Sequence, residues 1–193
     1  MLGLSDDELR TIWHGADGTF GDIIKIALLT AQRREKVMTM RWQEVTADGE
    51  WTIPTNKREK RTGGTLMLPK AAIEIINARP RLASNAYVFP GRASGHFNGA
   101  SPCKRVLDRK LPEMPGWTLH DLRRTARSLM SRAGVRPDIA ERVMGHAIAG
   151  VEAVYDRHEY RAEKADALRR LAALIETIVN PPVDNVVPMV AAQ

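Results

Sequence analysis

Two short runs break a chain that is otherwise patterned at the helical period. Trp51-Thr52-Ile53-Pro54 and Leu66-Met67-Leu68 read as strands, and the polar, basic stretch between them ends in Gly63-Gly64. Apolar runs of strand length bounded by turn residues form a hairpin, here one with a long loop. Everywhere else apolar residues recur three and four apart. Ser5 with Glu8 forms a capping box for a helix reaching about Trp13, and Asp22 is expected to start a second helix carrying Ile23, Ile24, Ile26, Ala27 and Leu28. A third helix is expected from about Arg33, with Val37, Met40 and Glu44 on one face and Met38, Arg41 and Val45 on another. Ala71 to Ala78 reads as a helix stopped by Pro80, and Tyr87-Val88-Phe89 as a short candidate strand. Ser101 is expected to cap a helix with Pro102 at its first position. Thr118 and Asp121 repeat the capping pattern for a helix running through His120 and Arg123 to Gly134. A shorter helix spans Pro137 to Gly145, and a long amphipathic one runs from about Glu159 to Ile178, stopped by Pro181-Pro182. The expected fold class is mainly α with a small antiparallel β-sheet. One core spans residues 1–180, and a tail, 181–193, is apolar enough to dock on its own domain or on a neighbouring protomer.

Composition narrows the function. The 193 residues carry 29 Lys and Arg against 23 Asp and Glu, a formal charge of +6 that favours a polyanionic partner. No apolar run approaches the ~18 residues of a membrane span, and the start has no secretory pattern, so a cytoplasmic location is expected. A single cysteine, Cys103, rules out an intrachain disulfide framework and reads as an ordinary half-buried thiol.

Several residues suit phosphate chemistry, though none is decisive alone. His120 and Arg123 lie three apart on one predicted helix and so share a face. Arg123 also lies four residues after Leu119, at the edge of the apolar stripe, where a guanidinium needs an anion or a carboxylate. Arg33 sits at a helix start, an uncommon place for a cation that makes sense with an external anion between it and the helix terminus, although on local evidence alone Arg33 reads as simply salt-bridged. Lys57 belongs to the loop Asn56-Lys57-Arg58-Glu59-Lys60-Arg61. Loops of this composition contact backbone phosphates or solvent, and spacing does not choose among Lys57, Lys60 and the arginines as a proton donor. His146 after Gly145 reads by itself as a capping or core hydrogen-bonder, and Tyr155 as a packing residue.

Taken in order, these segments resemble the catalytic domain of the tyrosine recombinases, the phage integrase family. The matching pieces are Thr30-Ala31-Gln32-Arg33 running into Met40-Arg41-Trp42, Lys57 in a strand-to-strand loop, Leu119-His120-Asp121-Leu122-Arg123-Arg124-Thr125, Met144-Gly145-His146 and Val154-Tyr155. The resemblance covers about Leu4 to Ile178. It implies that Arg33 and Arg123 clamp a phosphate, that Lys57 protonates the leaving 5′ oxygen, and that His120 moves a proton beside the nucleophile. His146 would hydrogen-bond the phosphate and Tyr155 would attack, with Tyr160 as the second choice of nucleophile. Arg58, Lys60, Arg61, Arg124 and Arg127 would contact DNA.

What the resemblance implies about partners is double-stranded DNA, with a homotetramer on paired recombination sites and a monomer without DNA. The helical DNA-clamping domain that usually precedes the catalytic one has no counterpart in this sequence. The family also usually carries an acidic residue three positions after its first arginine, where this chain has Lys36, so the partner that orients Arg33 is not set by the pattern. A tyrosine has an ordinary pKa of ~10, so about one in a thousand is ionised at neutral pH and attack needs a base and nearby cations. Those cations take the part magnesium plays in other phosphoryl transfers, and no cofactor or metal is expected. The rival expectations are an inactive DNA-binding module of the same fold, a type IB topoisomerase-like activity, and a metal site built from His120, His146 and His158, whose spacing matches no zinc pattern.

Overall fold

The computed structural model describes residues 3–55, 64–146 and 160–182. Lys57, Arg58, Lys60, Arg61, Tyr155, His158, the Glu159 helix start and the tail beyond Pro182 lie outside the described residues. Within them the chain is mainly helical with one small antiparallel sheet, as its patterning predicts.

The centre of the fold is α2 (Gly18–Thr30), and its sequence explains why. Phe20, Ile23, Ile24, Ile26, Ala27, Leu28 and Leu29 leave almost no polar face, and a helix apolar all round must be covered on all sides. The covers are α1 (Asp6–Gly15), α3 (Arg34–Met38), α4 (Lys70–Asn77), α6 (Leu119–Arg132) and α8 (Arg161–Val179). Helix α8 buries Leu168, Leu171, Ile175 and Ile178, and also packs on α1, α6 and α7 (Pro137–Met144). Among the described residues no helix is long and apolar enough to cross a membrane.

The hairpin pairs β1 (Glu50–Ile53) with β2 (Gly64–Met67), Glu50 opposite Met67 and Ile53 opposite Gly64. Trp51, Ile53 and Leu66 face the core, as period-two alternation requires. Arg161 pairs with Glu50, and Lys164 donates to the Thr65 carbonyl at 2.9 Å, so α8 braces the sheet from behind. The remaining described helix, α5 (Ala100–Lys110), packs Leu107 into the core.

Three boundaries depart from the sequence expectation. Helix α2 begins at Gly18 rather than Asp22, because Asp22 is taken inside the helix by Arg79 (3.0 Å), whose other arm reaches Thr19 (2.7 Å). Gly21 suits this earlier start, since a Cβ there would meet the Ala16 carbonyl at 2.6 Å. The third helix stops at Met38 and gives way to a 3₁₀ turn at Trp42–Glu44. Residues 40–42 are instead drawn into extended pairing: Val88 N–H donates to the Met40 carbonyl and Trp42 N–H to Ala86, both at 3.0 Å. Tyr87 accordingly forms a single antiparallel bridge with Arg41 rather than a strand. Finally, α5 starts at Ala100 with Gly99 as its cap, which moves Ser101 and Pro102 into the first turn. A missing N–H is harmless there because first-turn donors have no helical partner.

The Thr118–Asp121 box forms as expected at the start of α6. Thr118 donates to Asp121 from its backbone N–H (2.9 Å) and its hydroxyl (2.8 Å). The hydroxyl bond, opposed by burial and aided by the backbone bond and Arg124, holds the Asp121 carboxyl below its ordinary range. Its stabilisation is therefore full above the usual carboxylate pKa and is lost as pH falls through the lower folded value. Asp121→Ala is expected to cost about 1 kcal/mol at pH 7. Thermal unfolding should show a midpoint lower by about 2–4 °C. The gap should narrow in acid; a gap constant from pH 7 to below the carboxylate range would contradict the capping role.

Candidate active site

Four helix ends meet at one place, and a buried guanidinium joins three of them. Arg123, on the second turn of α6, is only 4% exposed. It donates from Nη1 to the Ala31 carbonyl (2.7 Å) and from Nη2 to the Met144 carbonyl (2.8 Å) and to His146 Nε2 (2.9 Å). Ala31 caps the end of α2 and Met144 ends α7. The sequence reading expected an anion or a carboxylate against Arg123; backbone carbonyls and an imidazole take that place instead.

Local backbone geometry aims each partner. Ala31 has φ 55, a left-handed conformation that costs a non-glycine residue about 1–2 kcal/mol, and it turns the chain sharply out of α2. Gln32, buried, fixes the turn by donating to Thr30 (3.0 Å) and to Val143 (2.7 Å) across on α7. Two residues past Ala31, Arg33 caps α3 with extended backbone (φ −64, ψ 139) and is half-buried. At the other end Gly145 (φ 72) closes α7 and places His146, whose N–H returns to the Glu141 carbonyl at 3.0 Å.

His120 and Arg123 line two adjoining clefts. One, about 380 Å³, is completed by Arg33, Arg34, Glu35, Thr118 and Leu119. The other, about 430 Å³, is completed by Gly3, Arg124, Arg127, Ser128, Met144 and His146. The structure thus brings together Arg33, His120, Arg123 and His146 from distant parts of the sequence. His120 is exposed in the first turn of α6. Burial, then the neighbouring charge of Arg33, lowers the Arg123 guanidinium to about 10, with Glu141 opposing, so it stays cationic at neutral pH.

The two arginines expected to meet DNA from α6 differ. Arg124 is exposed and pairs with Asp121 at 3.1 Å. Arg127 is half-buried and turned inward onto Glu141 (2.7 Å) and Ser131 (2.6 Å). Tyr160, the second choice of nucleophile, lies under the Arg142 guanidinium, 3.8 Å from its ring centroid, and is not among the residues lining the two clefts.

One residue at the site, Glu141, carries no signal in the sequence, and Lys36, noted there, has an unexpected partner. Glu141 bridges Arg127 and His146; it lies five residues from His146, outside the helical i,i+4 spacing, so no periodic signal marks it. Lys36 is 6% exposed, and its amino group donates to the Pro54 carbonyl at 2.8 Å, at the end of β1. The charge that stands where an acid is usual is thereby directed to the base of the hairpin.

These features can be set against known proteins. The Phage integrase family model matches residues 4–161, and the chain belongs to that family. Prophage integrase IntF of Escherichia coli (strain K12) is 26% identical over 162 residues, covering 80% of this chain and 33% of that protein. The chain therefore spans about a third of the length of that curated relative. Solved structures with the same fold include an integrase from mycobacterium phage Brujita, with TM-score 0.71 and 19% identity over 92% of this chain and 63% of that one. XerA recombinase superposes with TM-score 0.64 and 17% identity over 95% of this chain and 65% of that one. A lambda integrase dimer bound to a COC′ core site gives TM-score 0.60 and 17% identity over 76% of this chain and 57% of that one.

Arg123→Lys keeps the charge but loses the planar fork that reaches three acceptors. It is expected to destabilise the fold by about 2–3 kcal/mol. Urea unfolding should show a lower midpoint with an unchanged slope. A midpoint equal to wild type would mean that the carbonyl contacts contribute nothing to stability.

Proposed function

We propose that this chain is the strand-cleaving and rejoining domain of a site-specific DNA recombinase acting through a 3′-phosphotyrosyl intermediate. The observation that carries this reading is the convergence of Arg33, His120, Arg123 and His146 on two adjoining clefts. Two guanidiniums and the His120 imidazole on one cleft are a set suited to a phosphodiester, with His146 on the adjoining cleft bonded to Arg123. Lambda integrase on a core site supports duplex DNA as the partner, and the lambda integrase tetramer on a Holliday junction supports paired sites and four protomers.

In this mechanism the phosphate sits between Arg33 and Arg123. Nε–H and the second Nη1–H of Arg123 remain outside its three internal bonds and serve the non-bridging oxygens. Tyr155 attacks phosphorus, His120 accepts its proton, and Lys57 protonates the departing 5′ oxygen. One P–O bond forms as another breaks, so the phosphotyrosyl link retains the bond energy needed for rejoining to a different 5′ hydroxyl. Negative charge grows on the non-bridging oxygens toward the transition state, which the fixed cations stabilise more than they stabilise substrate. Loss of one such donor typically costs about 100–1000-fold in rate. Exposed Arg124, with the loop residues Arg58, Lys60 and Arg61, would contact backbone phosphates. The reading of Lys36 in place of the usual acid favours a second possibility, an inactive DNA-binding module.

A short duplex nicked near the cleavage position traps the covalent species and separates the two. Wild type should form a covalent protein–DNA band, and Tyr155→Phe should bind the duplex with unchanged affinity yet form none. A band from Tyr155→Phe would move the nucleophile elsewhere; no band from wild type would favour the inactive module. Lys57→Ala should be slow on an ordinary substrate and recover on one with a 5′-thiolate leaving group, which needs no protonation. Failure to recover would assign the acid to another residue.

A further inference from the structure

The Glu141 carboxylate lines neither cleft, and among the described residues its side chain is bonded to Arg127 and His146. Its two oxygens have different donors: Oε1 accepts from Arg127 Nε at 2.7 Å, and Oε2 lies 2.5 Å from His146 Nδ1. Its backbone carbonyl also accepts the His146 N–H at 3.0 Å. Both ends of the histidine residue are therefore held by one glutamate. Beyond the ring, Nε2 lies 2.9 Å from Arg123 Nη2.

The protons on this chain can be assigned by exclusion. Arginine only donates, so His146 Nε2 facing Arg123 must be the lone-pair nitrogen. The ring proton then sits on Nδ1, where it donates to Glu141. Arg127 donates to the same carboxylate. Every link is satisfied in only one direction: Arg127 and His146 to Glu141, and Arg123 to His146.

We infer that Glu141 is the positioning residue of this site, fixing His146 as the Nδ1–H tautomer so that its Nε2 lone pair holds the Arg123 guanidinium in register for phosphate. Arg127 then acts as the clamp on Glu141 and not as a contact to DNA. The tautomer and orientation follow from the structure alone; only the consequence for cleavage rate rests on the recombinase reading. The direction of the Glu141 titration agrees. Burial pushes its carboxyl up, but hydrogen bonds from Arg127 and His146 outweigh this and hold it below the ordinary range, so it is anionic at neutral pH. Among the described residues the other charged or titratable groups around His146 are Arg123, Arg124, Arg127 and His120 on α6, and none of them accepts from Nδ1.

A carboxylate is required because both neighbours donate. Glutamine at 141 has the same shape but only one acceptor atom, so it can serve Arg127 or His146, not both. If its NH₂ faces His146, the ring proton must move to Nε2 and then confronts Arg123 donor to donor.

The test uses the full chain labelled with ¹⁵N. Long-range imidazole spectra at neutral pH, with His146 assigned by its loss in His146→Asn, should show the Nδ1–H tautomer in wild type. In Glu141→Gln that tautomer should be lost or mixed with Nε2–H, while circular dichroism stays unchanged. On the nicked duplex, Glu141→Gln should form adduct about 10–100-fold more slowly at saturating DNA, with DNA affinity unchanged. Arg127→Gln should fall in the same direction by less, also without loss of affinity. An Nε2–H ring in wild type overturns the proposal whatever the variants do. So does a Glu141→Gln protein with wild-type tautomer and rate. If wild type forms no adduct, the recombinase reading fails, and the tautomer spectra still decide the role of Glu141.

Discussion

A buried cation held, among the described residues, by two carbonyls and an imidazole organises this structure. Placing Arg123 in the interior removes a charge from water, which costs several kcal/mol that well-oriented acceptors must offset. The acceptors come from three places: the Ala31 carbonyl at the end of α2, the Met144 carbonyl at the end of α7, and the His146 ring. Backbone carbonyls at helix C-termini suit this task, because they lack helical partners and carry the negative end of the macrodipole. The α2–α3 turn, the start of α6 and the end of α7 must therefore stay together for Arg123 to remain buried. Folding and site assembly are one event here. The left-handed Ala31 and the two bonds of Gln32 show the same constraint on the backbone side, with strain at one residue offset by contacts made through its neighbours.

How far such an arrangement can be read from sequence depends on whether each contact is local. The hairpin, the Thr118–Asp121 cap and the helices ending at Gly134 and Gly145 follow from neighbours within a few residues, and they stand where periodicity and capping place them. The pairing of Arg33, His120, Arg123 and His146 carries no such local signal; it became readable through the order of family motifs, and the structure brings those four side chains to two clefts that share His120 and Arg123. Boundaries failed where a distant partner won. Residues 37–45 have helical spacing, but the 86–88 segment competes for the carbonyl of Met40 and the N–H of Trp42 and ends the helix at Met38. Asp22 has the chemistry of a cap, yet Arg79 holds it inside α2. Glu141 was invisible for the same reason: its partners lie on another helix and past a left-handed glycine.

Charge on α6 divides along similar lines. Its arginines read in sequence as one basic face, whereas packing sends them to different ends. Arg123 goes into the core, Arg127 to Glu141, Arg132 to Asp6 and Arg124 to solvent beside Asp121. A basic run is thus a poor count of cations available to a polyanion. Of these four, only Arg124 combines exposure with a place on a cleft that Arg123 also lines.

The remaining question is what a free site containing Arg33 and Arg123 does with its own repulsion. Burial and then the charge of Arg33 pull Arg123 down to about 10, with Glu141, beyond His146, opposing them. On the proposed reading this is an arrangement that an arriving phosphate improves: an anion between the two guanidiniums turns a like-charge contact into two attractive ones. Lys36 fits this logic better than it first appears in sequence. With its amino group on the Pro54 carbonyl, it ties α3, and so the residue that follows Arg33, to the strand that leads into the Lys57 loop. The acid usual at that position is replaced by a cation whose amino group is held at the base of the hairpin.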